Sequence, residues 1–246
     1  MKQLLAACLI SLLLFSCSKS FVALQGNLMN KIYKVQKFSN GDKTVAFIGV
    51  MHINKPEYYQ KIKKDIDSLR AAGYSIMYEG VKPDSTLGKE KIEYFHKKLR
   101  KITGFYLTSY LDTLNQDMGK FRVKGFVDQT QELTGINKLT DIRADLALDS
   151  LISVYERKRG PITLSSCDID TKLGDKYKCG KKNKENFTYL VLNLRNEHLA
   201  NVVLKHPNKK IAILYGDKHK YGLLQNLKSH DTRWNMIPLW QTTAAE

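Results

Sequence analysis

Past Phe15 the chain has no apolar stretch long enough to cross a bilayer, so membrane attachment would have to come from its amino-terminal end. It also has no Pro/Ser-rich linker and no break in composition, which leaves no evident boundary between domains. A Gly-x-Ser-x-Gly elbow is missing, which argues against a serine hydrolase of the α/β type. Acidic residues are scarce: 24 Asp and Glu stand against 40 Lys and Arg, a formal charge of +16 over 246 residues. Cysteine is scarce too, with four in all.

What is there begins with a targeting pattern. Lys2 supplies a basic start, Leu4 to Phe15 form a short apolar run, and Leu14-Phe15-Ser16-Cys17 sets a small residue before a cysteine. This resembles a bacterial lipoprotein signal. Residues 1–16 are then expected to be removed, Cys17 to carry the lipid, 17–31 to form a tether, and 32–246 to fold as a single domain. Acyl chains on Cys17 would hold the protein in the cell envelope, at the outer membrane or in the periplasm, each buried methylene contributing ~0.8 kcal/mol.

Losing Lys2 with the signal leaves the chain strongly basic. An exported protein rarely meets nucleic acid, so the expected counterparts of this charge are anionic lipid headgroups or envelope polysaccharide. The Lys-rich runs at Lys61 to Lys64, Lys97 to Lys101 and Lys181 to Lys184 read as solvated faces or loops. With Cys8 lost and Cys17 lipidated, Cys167 and Cys179 remain. An even pair in an exported chain reads as a disulfide closing a surface loop, stabilising by about 3 kcal/mol in the loop-entropy model.

One unit occurs twice: an apolar β-type run, Gly-x-x-His, then a helical pattern. The first copy is Val45-Ala46-Phe47-Ile48-Gly49-Val50-Met51-His52, the second Ile211-Ala212-Ile213-Leu214-Tyr215-Gly216-Asp217-Lys218-His219. Short β-branched runs of this kind suit strands buried on both faces. The pattern predicts an α/β fold with a mainly parallel central sheet flanked by helices, as a quasi-repeat of two strand-helix units. Both histidines then belong at carboxyl ends of strands, the edge where ligands gather in open α/β sheets. If the strands are neighbours, His52 and His219 share a cleft.

Between the repeats, Ser39-Asn40-Gly41-Asp42 predicts a hairpin joining Ile32 to Phe38 with Lys43 to Val50. Pro56 opens a helix carrying Tyr59, Ile62, Ile66 and Leu69, followed by a strand at Tyr74 to Tyr78. That strand is expected beside the first Gly-x-x-His strand, bringing Glu79 to the same edge as His52. Lys89 to Leu114 reads as helix broken near Gly104, Val123 to Val127 as a short strand, and Asp141 to Lys158 as a helix capped by Asp141. Ile162 to Leu164 reads as another short strand, Glu185 to Lys205 as the longest helix, and Trp234 to Trp240 as a last strand. Arg195 and Asn196 interrupt the long helix close to the second repeat and are candidates to reach its cleft. His198 reads as a packed or capping histidine; His96, His206 and His230 read as surface residues.

His52, Glu79 and His219 thus offer two imidazoles and a carboxylate, a borderline ligand set suited to Zn, Mn or Co. At these residues the chain resembles the TraB/PrgY/GumN/TIKI superfamily, related in fold to the erythromycin esterase and ChaN groups. The marks are the two Gly-x-x-His motifs, the strand-terminal Glu79-Gly80, and Arg195-Asn196 ahead of the second motif. The resemblance implies a metal-dependent hydrolase, most plausibly a peptidase acting on a peptide or protein substrate. His52, Glu79 and His219 would hold a divalent cation, or Glu79 would act as base to its water. Arg195 would stabilise an oxyanion or orient Glu79, and Asn196 would donate to substrate. Asp217 and Lys218 set two charges inside the second motif, where Lys218 would oppose a cation. The alternative is a binding lipoprotein on the same fold that captures haem or a peptide without turnover.

Overall fold

The computed structural model describes residues 35–106, 125–180 and 183–238. Residues 1–34 and the sequence readings that fall on them, the signal and Cys17, lie outside this range, as do 107–114 and Trp240.

The fold is α/β. A six-stranded sheet is built from β1 (Val35–Ser39), β2 (Thr44–Val50), β4 (Ser75–Tyr78), β6 (Ile142–Arg143), β7 (Lys210–Gly216) and β8 (Asn235–Met236). Their order is β6-β4-β7-β2-β1-β8. The first four in that order are parallel, and β1 is antiparallel to both its neighbours. A separate ribbon pairs β3 (Ile53–Asn54) with β5 (Val127–Asp128). The hairpin forms as the turn residues predict, with Ser39 opposite Thr44 and Gly41 at φ 92°, a left-handed conformation that glycine adopts without strain.

Strand alternation sorts the apolar side chains onto two faces. Phe38, Val45, Phe47, Met77, Ile211, Ile213 and Tyr215 face one way, towards α7 (Leu194–Lys205) and α8 (Lys220–His230), which contribute Leu199, Ala200, Val203, Leu223 and Leu227. Ala46, Ile48, Val50, Ile76, Tyr78, Ala212 and Leu214 face the other way, towards α1 (Pro56–Ala71) and its Tyr58, Tyr59, Ile62 and Ile66. Parallel strands covered on both sides explain the continuously apolar runs.

The two repeats are neighbours: Gly49 lies opposite Tyr215 and Val50 opposite Gly216. The strand carrying Glu79 is not next to the first repeat, because β7 lies between them. The crossover through α1 skips one position, which β7, the strand of the second repeat, fills. Glu79 still leaves the sheet at the expected edge.

The region from Asp141 to Lys158 departs from its pattern. Ile142 pairs with Met77 and Arg143 with Tyr78 as β6, and the helix α4 starts only at Leu148, running to Arg159. Asp141 caps no helix; its carboxylate accepts from Asn137 N at 2.7 Å and pairs with Arg70 at 2.8 Å. Long-range strand pairing outweighs local helical periodicity here. Ile162 to Leu164 form no strand, and among the described residues of the predicted last strand only Asn235–Met236 are strand.

The Lys97 to Lys101 run is not the solvated face its composition suggests. It lies on α2 (Lys89–Thr103), which ends at a left-handed Gly104. Lys98 is buried and pairs with Glu156 at 2.7 Å, and Lys101 pairs with Asp168 at 2.6 Å. Arg100 is buried and donates to the carbonyls of Asp168, Thr171 and Lys172, while its guanidinium lies 4.6 Å from the Tyr177 ring centroid. These contacts fasten a short segment that includes α5 (Ser166–Asp170) and is closed by a disulfide between Cys167 and Cys179. His96 is half-buried against Tyr106 rather than at the surface.

Candidate functional site

The carboxyl ends of β2, β7, β4 and β6 converge on one cluster. Glu79 follows β4, Gly216 ends β7, His219 closes the single 3₁₀ turn Asp217–His219, and His52 follows β2. Arg195 and Asn196 sit in the first turn of α7, directly after a π-helical turn at Tyr189–Asn193 that continues α6 (Lys184–Thr188).

Glu79 is gripped on both oxygens. Oε1 accepts from Arg195 Nη2 at 2.5 Å, and Oε2 accepts from the Gly216 backbone N–H at 2.6 Å. Burial would raise its pKa, but Arg195 and the two histidines prevail and hold it at about 2, so Glu79 is a carboxylate at neutral pH.

Arg195 is paired all round. Nε and Nη2 form a fork to Asp145 at 3.0 and 2.6 Å, and Nη1 donates to the Val191 carbonyl at 3.3 Å. Nη1 also reaches His219 Nε2 at 3.4 Å. Burial opposes its charge, but Asp145 and Glu79 raise its pKa well above the usual value. Arg195 is therefore a positioning residue for Glu79, with its donors committed before any substrate arrives.

His219 is locked as a neutral ring. Nδ1 donates to Asn196 Oδ1 at 2.7 Å, which puts the proton on Nδ1 and leaves Nε2 to accept from Arg195. Burial and the adjacent guanidinium push its pKa down to about 4. Asn196 thus serves His219 rather than substrate, and helix α8 leaves room for it only because position 222 is glycine. A Cβ there would lie 2.0 Å from Asn196 Nδ2.

His52 differs from His219 in exposure, its side chain being 29% accessible against 4%. Its Nδ1 donates to Gln129 Oε1 at 3.0 Å, and its carbonyl accepts from Gln129 N at 2.8 Å. Nε2 accordingly faces Glu79 Oε2, 4.0 Å away. A Cβ on Gly216 would lie 3.3 Å from Glu79 Oε2, 3.5 Å from His52 Nε2 and 3.6 Å from the His219 ring, so that glycine is the floor on which all three converge.

The fold therefore brings together His52, Glu79, Arg195, Asn196 and His219, but not as a metal site. Among the described residues no three His, Cys, Asp or Glu side chains are placed to hold one cation. The physical reason is Arg195: a permanent cation pairs with Glu79 Oε1, and its Nη1 takes the His219 lone pair a metal would use. The arrangement of the described residues thus lends no support to His52, Glu79 and His219 as a ligand set for Mn, Co or Zn. Lys218 is exposed.

Sequence reasoning does not anticipate Asp145 or Gln129. Asp145 is fully buried, accepts from Gly80 N at 3.1 Å as well as from Arg195, and falls in the stretch whose periodicity suggests helix. Gln129 stands just past β5 with no local pattern to single it out. Comparison of the chain with protein-family models, with curated proteins and with solved structures returned no match.

Proposed function

We propose that this chain is a hydrolase of acyl bonds, peptide or ester, in which His52 activates water without a metal ion. The observation that carries the reading is the placement of His52: partly exposed, its Nδ1–H held by Gln129, its Nε2 turned across Gly216 towards an ionised Glu79. A water on Nε2 would give up its proton as it attacks the substrate carbonyl, and Glu79 would stabilise the imidazolium that forms. The same imidazolium would then return the proton to the leaving group. His219 stays neutral throughout and, with Asn196, walls the cleft. Arg195 keeps Glu79 charged and oriented, with Asp145 compensating the guanidinium.

The two Gly-x-x-His motifs and Arg195-Asn196 support membership of the TraB/PrgY/GumN/TIKI group, and Ser16-Cys17 supports a lipid anchor in the bacterial envelope. Both belong to this proposal, as does the acyl substrate. The test is hydrolysis of para-nitrophenyl esters and of a mixed peptide library in excess chelator, comparing wild type with His52→Ala and Gln129→Leu. Turnover that survives chelation and falls at least 100-fold in His52→Ala is expected. Turnover that needs added Mn, Co or Zn would restore the metal mechanism, and peptide affinity without cleavage would make the protein a binding lipoprotein.

A further inference from the structure

We infer that Arg143 recognises a negatively charged group on the substrate, so that the acyl compound processed at His52 bears a carboxylate or phosphate near the reacting bond. The inference rests on the proposed hydrolase site and names its substrate class.

Arg143 ends β6 and lies opposite Tyr78, the residue before Glu79. Its side chain lies across Gly80, with Cδ 3.7 Å from where a Cβ would stand, and Nη1 donates to the Gly80 carbonyl at 3.1 Å. Gly80 in turn donates its N–H to Asp145, the partner of Arg195. Arg143 is thus laid over the backbone next to Glu79, at ordinary van der Waals distance from where a Gly80 Cβ would stand.

The two arginines of this edge are in opposite states. Arg195 is buried and paired with two carboxylates, whereas Arg143 is exposed and, among the described residues, forms no ion pair. One hydrogen bond fixes its direction and leaves most of a planar fork facing solvent, the geometry that binds carboxylate or phosphate in two parallel bonds. Exposed Lys82 and Lys218 follow β4 and β7 at the same edge. Of the acids there, Asp217 pairs with Lys220 at 3.0 Å, while Asp84 accepts from Thr86 and the half-buried Asp149 accepts from Asp84 N.

Strand order gives the scale. β6 is two strands from β7, about 10 Å at ordinary strand spacing. An anionic group two or three residues from a scissile peptide bond, or at the far end of a medium acyl chain, spans that distance at about 3.5 Å per residue.

The experiment compares para-nitrophenyl suberate, which carries a distal carboxylate, with its methyl ester, which does not. Wild type is expected to prefer the charged ester by at least 10-fold in kcat/KM. In Arg143→Gln that ratio should fall close to one, chiefly through KM, and in Arg143→Glu it should invert; Lys64→Gln, a remote change of equal charge, should keep the wild-type ratio. A wild-type ratio near one, or a preference that persists in Arg143→Gln, overturns the proposal. If neither ester is turned over, the hydrolase reading fails on its own, and titration of the labelled protein with suberate and with inorganic phosphate decides the anion site. Saturable shifts of the Arg143 Nε–H and Gly80 amide signals, lost in Arg143→Gln, support it for whichever anion produces them, and no shifts with either anion overturns it.

Discussion

Arg195 Nη1 donates to His219 Nε2 at 3.4 Å, so a guanidinium occupies the lone pair by which this imidazole would otherwise hold a metal. Calorimetric titration with Mn, Co or Zn should therefore show no one-to-one binding that depends on both His52 and His219. Arg195→Met should lose about 3–5 kcal/mol of stability in urea unfolding, because it leaves Glu79 and Asp145 as buried charges without their counter-ion.

The buried carboxylate and imidazole give the fold a signed dependence on pH. Glu79 has a folded pKa of about 2 against 4.5, so its contribution is complete above pH 4.5 and is lost as pH falls towards 2. His219 has a folded pKa of about 4 against 6.5, so the unfolded chain takes up its proton first and stability falls between pH 6.5 and 4. Both act in the same direction. Acid titration followed by circular dichroism should show stability declining from pH 6.5 downward, and Glu79→Gln should flatten the part below pH 4.5.

Gly216 and Gly222 separate chemistry from folding. Gly216 has φ −50°, which any residue adopts, and a methyl there would meet the site groups at 3.3 to 3.6 Å. Gly216→Ala should keep stability within about 1 kcal/mol while reducing turnover at least 10-fold, since the methyl stands where substrate and water meet His52. Gly222→Ala would drive into Asn196 at 2.0 Å and should cost about 1–3 kcal/mol, with a downfield change in the His219 ring signals as Asn196 is displaced. Thermal unfolding and one activity assay on both variants distinguish the two effects.

Arg100 and the disulfide hold the same segment by independent means. Arg100→Met removes three bonds to buried or half-buried carbonyls and should cost about 2–4 kcal/mol. Cys167→Ser with Cys179→Ser should cost about 3 kcal/mol through loop entropy. The site lies elsewhere, so turnover by the folded fraction should stay at wild-type level in both. Denaturant midpoints measured beside specific activity check this.

The parallel repeats, the hairpin and α1 are legible because each rests on a local signal: an apolar run, a turn sequence, a proline at a helix start. His52, Glu79 and His219 follow from the rule that strand ends gather at one edge. The insertion of β7 between β2 and β4 is not legible, since no residue in β2 or β4 encodes which third strand will part them. Asp145 is hidden for a related reason. Its neighbours Ile142 and Arg143 are strand only by pairing with Met77 and Tyr78, so the local pattern extends the helix over them. Metal-ligand residue types are legible in the sequence, but the direction of the Arg195 guanidinium, which sets it on Glu79 and His219, is a tertiary fact.

The π turn at Tyr189–Asn193 carries one residue more than an α-helix would need over the same span. Within it Leu190 packs with α4, and downstream Leu199, Ala200 and Val203 pack on the sheet. Each residue along a helix turns it by about 100°, so removing one would satisfy every backbone bond yet swing Arg195 out of step with one of these two neighbours. The helix is thus spliced from two phases, and Arg195 sits just past the splice. A chain shortened by a single residue there should keep its scaffold while the Arg195 guanidinium loses its register with Glu79 and Asp145.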